Sequence, residues 1–100
     1  MNRFGEKIRK LREENKLLLR QLASKLDIDS AQLSKIERGE RRAKREQVLA
    51  LAKLFKVDKE ELLAFWLAGK VYEVLKDEDS AHCALKVAEK EISSKKIHLK

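Results

Sequence analysis

Apolar residues recur at helical spacing through almost the whole chain, and no proline interrupts them. Phe4, Ile8 and Leu11 would share one helical face, and Val48 and Leu51 begin a similar stripe further on. Because proline breaks helices and glycine weakens them, a chain with no proline and three glycines permits long helices. Neither the alternation typical of strands nor an internal repeat is present. The sequence therefore predicts an all-α fold.

Six helices are expected, with bounds that follow from the apolar spacing and from residues suited to helix ends. They cover approximately residues 2–15, 19–26, 30–38, 45–56, 59–76 and 81–92. Asn2 and Asp29 are good N-caps for the first and third helices. Gly39 tolerates the left-handed conformation that closes a last turn, so the third helix should end there.

The later helices have their own boundary signals. Asp58 followed by Glu61 has the spacing of a capping box, which predicts that the fifth helix begins at Lys59. The polar segment DEDS, residues 77–80, separates that helix from the sixth. The tail SSKKIHLK, residues 93–100, is expected to be frayed.

The second and third helices form a short pair joined by a tight turn. Ala23 is small enough for two helices to cross closely, and Ile28 is an apolar turn residue that can reach the core. The outer face of the third helix is short and polar, which would let it approach base edges, where glutamine pairs with adenine and lysine donates to guanine. Its residues are Ser30, Ala31, Gln32, Ser34 and Lys35. This is the plan of a helix-turn-helix.

Positive charge is concentrated in the same part of the chain. The net charge is +7; residues 1–63 contain 17 Lys and Arg against 11 Asp and Glu, and residues 64–100 contain 7 against 6. All eight arginines lie at or before Arg45. Arginine makes bidentate contacts with phosphate and guanine, so the asymmetry indicates a front part that meets a polyanion and a rear part with another task. The cluster at residues 38–45 could also be a solvated loop.

Four segments match a known family in order and spacing. They read FGEKIRKLREENK (4–16), RQLASKLDI (20–28), AQLSKIERGERR (31–42) and LALAKLFKVDKEELL (49–63). Together they resemble the lambda-repressor/Cro-like, or Xre, helix-turn-helix regulators. The resemblance implies a five-helix bundle that binds double-stranded DNA through residues 1–63. Residues 64–100 would then be a helical extension, made of a prolonged fifth helix and the sixth.

The resemblance also implies roles for individual residues. The third helix would lie in the major groove, and Arg45 could reach the minor groove. Arg12 and Glu37 would form a buried ion pair. The base-contacting residues would be Ser30, Ala31, Gln32 and Lys35. The phosphate-contacting residues would be Arg20, Ser34, Arg38, Arg41, Arg42, Lys44 and Arg45.

Four positions depart from the family pattern. Leu18 and Leu19 stand where the family usually has a Ser/Thr-Gln pair, so a hydroxyl cap and an anchor to DNA are both missing. These leucines would pack on the first helix or touch a thymine methyl group. Asp27 replaces the usual turn glycine, and Ala43 replaces a proline. The departures affect the expected affinity more than the mode of binding.

The rear part has more apolar surface than one small domain can cover. The segment ELLAFWLAGKVYEVLK (61–76) is apolar on almost every side of a helix. An uncovered apolar patch marks an interface, and one helix reads only a few base pairs, so residues 64–100 are the expected homodimerisation element. The predicted interface residues are Phe65, Trp66, Val71, Tyr72, Leu75 and Leu85.

No catalytic or metal chemistry is expected. His82 and Cys83 are adjacent, so on a helix they point about 100° apart, and no second pair of ligands lies nearby in the sequence. There is no nucleophile–base pair and no glycine-rich phosphate loop, so the sequence predicts neither an enzyme nor a cofactor.

The leading hypothesis is a sequence-specific transcriptional regulator that acts as a homodimer on a palindromic operator, of the repressor or restriction–modification-controller type. The alternative is an antitoxin or adaptor whose main partner is a toxin or an enzyme, with DNA binding secondary.

No membrane-spanning run or signal peptide is evident, and the single Cys83 cannot form an intrachain disulfide. The expected compartment is therefore the cytoplasm.

Overall fold

The computed structural model describes residues 3–98, without the side chains of 96–98, and this part of the chain forms six helices and no strand. The helices are α1 (Arg3–Glu14), α2 (Leu19–Lys25), α3 (Ser30–Glu37), α4 (Arg45–Phe55), α5 (Lys59–Leu75) and α6 (Ala81–His98). The all-α prediction is confirmed. Each of the first four helices ends one residue before its predicted end. The predicted N-cap Asn2 lies outside the described residues.

Two local predictions are wrong. The helix α6 continues to His98, so residues 93–98 are helical rather than frayed, because neither glycine nor proline interrupts them; residues 99 and 100 lie outside the described part. At the start of α5, the Asp58 carboxylate accepts from the backbone N–H of Glu60 at 3.2 Å. The side chain of Glu61 instead lies 3.8 Å from Lys7 Nζ, so the capping box does not form, although α5 begins at Lys59 as predicted.

The first four helices share one kind of ending. A residue with positive φ follows each helix, and the next N–H donates to the carbonyl five residues back, which is the Schellman motif. The positive-φ residues are Lys16 (56°), Asp27 (58°), Gly39 (78°) and Lys56 (55°). The next residues donate over 2.8–3.0 Å: Leu17 to Arg12, Ile28 to Ala23, Glu40 to Lys35, and Val57 to Ala52. Short turns therefore follow each helix without proline.

Close packing of α1 on α3 depends on a glycine. A Cβ atom placed on Gly5 would lie 2.7 Å from the carbonyl oxygen of Ile36 and would also collide with that of Glu37. Both oxygens belong to backbone that cannot move aside cheaply, so only glycine permits this approach. The contact brings Phe4 and Ile8 of α1 into the core.

The chain divides into two compact units, residues 1–70 and 71–100. All buried hydrophobic residues of the described part belong to the first unit, which contains one continuous core. They are Phe4, Ile8, Leu22, Ala23, Leu33, Ile36, Ala43, Val48, Leu51, Ala52, Leu62 and Trp66. The second unit contains the end of α5, the turn after it, and α6, and none of its residues 71–95 is buried.

Trp66 is predicted at a subunit interface, but it belongs to the core. Only 6% of its surface is exposed, and its indole N–H donates to the carbonyl of Ala43 at 2.8 Å. A buried indole needs such an acceptor, which the segment between α3 and α4 supplies. Phe65 is half-buried against the same core, so it contributes little free surface.

Candidate nucleic-acid interface

The α2–α3 hairpin has the geometry that its sequence favours. Ala23 is buried where the two helices meet, and Ile28 in the turn packs against the core. Asp29 caps α3, because its carboxylate accepts from the backbone N–H of Gln32 at 2.7 Å. The hairpin is therefore held by packing on one side and by a cap at the start of α3.

One side of α3 enters the core and the other is accessible. Leu33, Ile36 and Glu37 are buried. Ala31 and Lys35 are exposed, whereas the predicted base-contacting residues Ser30 and Gln32 are half-buried, as is Ser34. The accessible side thus presents short side chains and one lysine.

An ion pair between α1 and α3 fixes the end of the accessible helix. Arg12 Nε donates to Glu37 Oε2 at 2.8 Å and Arg12 Nη2 to Oε1 at 3.1 Å. Arg12 Nη1 also donates to the carbonyl of Leu17 at 3.0 Å. The side chains are 14% and 6% exposed, and the hydrogen bond to Glu37 raises the pKa of Arg12. The pair implied by the family resemblance is therefore present, bidentate and shielded from water.

Residues 38–45, the arginine segment, follow α3 directly and lead into α4. Arg41, Arg42, Lys44 and Arg45 are exposed. The segment has a strong excess of positive charge, because it contains five arginines and lysines against one acid, Glu40. An exposed cationic segment directly after the accessible helix is suited to a polyanion.

Arg38 differs from the other arginines. Its Nε donates to Glu40 Oε2 at 2.8 Å and its Nη2 to Oε1 at 3.3 Å, and Nη1 donates to the hydroxyl of Ser34. These contacts raise the pKa of Arg38 and lower the pKa of Glu40, so both groups remain charged at neutral pH. Gly39 permits the turn that brings the two side chains together. Two predicted phosphate contacts, Arg38 and Ser34, are thus already engaged with each other.

Trp66 makes contacts with the arginine segment that the sequence does not predict. Its backbone carbonyl accepts from Arg42 Nη1 at 3.4 Å, and the guanidinium carbon of Arg45 lies 5.3 Å from its ring centre. Lys70 Nζ lies 4.2 Å from the same ring centre. The sequence carries one signal for these contacts: a tryptophan in the apolar part of a helix requires an acceptor for its N–H when it is buried.

The start of α2 shows what replaces the usual polar pair. Leu19 is half-buried against the core, whereas Leu18 is 51% exposed. The Leu18 N–H donates to Gln21 Oε1 at 2.8 Å, so half of a capping box remains without a capping side chain. Arg20, predicted to contact phosphate, is exposed in the first turn of α2.

Other kinds of site find no support in the described residues. His82 and Cys83 are exposed, and the described side chains, those of residues 3–95, include no group of three or more placed to hold a metal ion. No helix in this range combines the length and the apolar character needed to cross a bilayer.

Comparison with known proteins places this geometry in a family. Residues 5–65 match the family model of a helix-turn-helix domain. The HTH-type transcriptional repressor RghR of Bacillus subtilis is 40% identical over 75 residues, covering 74% of this chain and 54% of the repressor. The uncharacterized HTH-type transcriptional regulator RghRB of the same organism is 43% identical over 65 residues, covering 64% of this chain and 47% of that regulator.

The chain thus spans about half the length of the curated relatives it matches. No solved structure matches it significantly. The matched range includes α2, α3 and the arginine segment, which build the surface described above, and it ends one residue before Trp66. The chain therefore belongs to the helix-turn-helix family, in the Xre-like group that its sequence resembles.

Proposed function

We propose that this chain is a sequence-specific regulator of transcription that binds double-stranded DNA as a homodimer and represses from a two-fold symmetric operator. One observation carries the proposal: the accessible side of α3 is continuous in sequence with an exposed cationic segment, and both are fixed to one core. The similarity to a transcriptional repressor supports the same function. Helix and segment would contact base edges and phosphates respectively.

Base reading is assigned to the accessible side of α3. Lys35 is exposed and can donate to guanine, and Gln32 can pair with adenine through its amide. Ser30 and Ala31 lie in the first turn of α3, where side chains of a recognition helix approach the bases. Because Gln32 is half-buried, its amide reaches a base only from the edge of this surface.

Phosphate contact is assigned to Arg20 and to the free members of the arginine segment. Arg41, Lys44 and Arg45 are exposed, and Arg42 makes only a long hydrogen bond of 3.4 Å. Arg38 and Ser34 would contribute less, because Glu40 already neutralises the guanidinium that contacts Ser34. Each arginine that reaches a phosphate releases a counterion and makes binding dependent on salt.

Homodimerisation is assigned to the apolar surface left after the core is complete. Val71, Tyr72 and Val74 on α5 are 44%, 58% and 72% exposed. On α6, Leu85, Val87 and Ile92 are 43%, 57% and 61% exposed. Two recognition helices that occupy successive major grooves must lie about 34 Å apart, and a two-fold interface would join the two copies that carry them.

Substitution at α3 tests the assignment of base reading. Lys35→Ala and Gln32→Ala should each weaken binding to the cognate duplex by about 1–3 kcal/mol and change binding to random duplex much less. Lys86→Ala is the control, since it removes an exposed lysine from α6. Equal losses on cognate and random DNA for Lys35→Ala would show that this lysine does not read bases.

Salt dependence tests the assignment of phosphate contact. Arg41→Ala should weaken binding to every sequence alike and make the salt slope shallower by about one unit. A slope that stays unchanged would show that Arg41 is merely solvated.

A further inference from the structure

One aromatic side chain connects α5 to the arginine segment at several points. The Trp66 indole N–H donates to the Ala43 carbonyl at 2.8 Å, and the Trp66 carbonyl accepts from Arg42. The Trp66 ring also lies beneath two cations, Arg45 at 5.3 Å and Lys70 at 4.2 Å. All five residues belong to the first compact unit.

The segment needs such a restraint because it has little regular structure. The backbone N–H groups of Glu40 and Arg41 donate to the carbonyl of Lys35, and that of Lys44 donates to the Gln47 side chain. Between them, Ala43 is held through its carbonyl by Trp66. A free segment would lose conformational entropy when its arginines meet a phosphate backbone, and a fixed segment loses less.

The ring contact also suits a phosphate-binding arginine. A guanidinium stacked on an aromatic face keeps its N–H donors at the edge of its plane, where they remain available to an anion. The ring therefore restrains Arg45 without competing for its donors. The same ring gathers Lys70, which lies twenty-five residues away in sequence, into the cationic cluster.

We propose that Trp66 is a positioning residue for DNA binding, which holds Arg42, Arg45 and Lys70 as one preformed phosphate-binding cluster. This inference rests on the proposed DNA-binding function. Trp66 itself touches no DNA, because it is only 6% exposed. Its effect on affinity is exerted through the three cations and the Ala43 carbonyl.

A double-mutant cycle on a random-sequence duplex tests the proposal. Trp66→Phe keeps an aromatic ring and removes the N–H donor, and we expect about three- to tenfold weaker binding by the folded protein. Arg45→Ala should cost several-fold less affinity in the Trp66→Phe background than in the wild type, because the smaller phenyl ring attracts the guanidinium less and cannot hold the Ala43 carbonyl two residues before Arg45. Leu62→Val is the matched control: it trims another buried α5 residue and should leave affinity unchanged in the folded protein.

The outcomes separate this inference from the proposed function. Wild-type affinity for folded Trp66→Phe, or losses that simply add to those of Arg45→Ala, would overturn the positioning role alone. Unchanged affinity and salt slope for Arg42→Ala and Arg45→Ala would overturn the phosphate interface and this inference with it.

A measurement on the unmodified chain covers the case in which Trp66→Phe does not fold. Trp66 is the only tryptophan, so its emission reports on the cations above its ring. Saturation with duplex at low salt should shift or quench that emission, because the cluster engages phosphate. Emission that remains identical at saturation would contradict the proposal.

Discussion

The two units of this chain are both helical and both rich in apolar residues, yet only one of them has an interior. In residues 3–70, the apolar stripes of several helices meet, and side chains such as Ile8, Leu22 and Leu33 are fully buried. In residues 71–95 no residue is buried, although Val74 and Ile92 are as apolar as the core residues. Isolated helices are marginal without tertiary packing, so the second unit needs a cover that its own residues do not provide. Apolar content alone therefore does not make a core.

The first prediction tests whether the interior of the first unit shields charge. Glu37→Ala leaves Arg12 unpaired at a site where the two side chains are 14% and 6% exposed, so we expect a loss of about 3–5 kcal/mol in unfolding free energy. Denaturant unfolding measures it. Glu13→Ala is the matched control, because Glu13 pairs with Arg9 at 3.5 Å on the open surface, and it should cost no more than about 0.5 kcal/mol. Equal small losses would show that the Arg12–Glu37 pair is not energetically buried.

The second prediction tests what covers the second unit. Val74 is 72% exposed, so Val74→Lys should leave the stability of the first unit unchanged. If a second copy covers this residue, dimerisation should weaken about tenfold or more, since a buried valine contributes on the order of 1.5 kcal/mol. Analytical sedimentation over a range of concentrations measures the dimerisation affinity of the wild type and of Val74→Lys. An intact protein that stays monomeric at micromolar concentration without DNA would overturn self-association, and a different protein would then be the occupant.

The third prediction concerns strain that only the first unit contains. Asp27 has a φ of 58°, which costs a residue with a Cβ about 1 kcal/mol or more, and no positive-φ residue occurs among residues 71–98. Asp27→Gly should therefore stabilise the protein by about 0.5–1 kcal/mol in thermal unfolding. Ser24→Gly, within α2, should change stability in the opposite direction by about 0.5 kcal/mol. A destabilised Asp27→Gly would show that the aspartate side chain itself holds the turn.

The smallest expected effect compares the surfaces of the two units. Glu40 and Glu73 are equally exposed and each pairs with a nearby cation, Arg38 and Lys76 respectively. Glu40→Gln should tighten binding to random duplex about two- to threefold, because it releases Arg38 for phosphate. Glu73→Gln should change nothing. Equal effects from both would mean that only net charge matters.

The pH dependence of the Arg38–Glu40 contact follows from its pKa shift. Arg38 lowers the pKa of Glu40 in the folded protein, so the contact is fully present above the ordinary glutamate pKa of about 4.3. It is lost only as the pH falls through the lower folded value. The difference between Glu40→Gln and wild type should therefore be constant from pH 6 to pH 8 in the same binding assay. A difference that changes across this range would point to another titrating group.

Local features of the fold could be read from the sequence, whereas contacts between distant residues could not. Asp29 predicts the start of α3 and Gly39 predicts its end, because caps depend on backbone only a few residues away. Glu61 has the sequence spacing of a capping residue but pairs with Lys7, which is close to it only in the folded chain. The sequence does not indicate the hydrogen bond from Trp66 to Ala43 for the same reason, since Ala43 lies in a different segment. The Arg38–Glu40 contact is local, yet the sequence does not indicate it. Side chains at i and i+2 meet only where a turn, such as that at Gly39, lies between them.

We propose that residues 3–70 read one half-site and that the second unit brings two copies together. Selection of bound duplexes from a random DNA pool by the intact chain tests both parts of this proposal at once. We expect an enriched inverted repeat whose half-site centres lie about one helical turn apart, roughly 10 base pairs. Enrichment of a single half-site, or of no sequence at all, would contradict it.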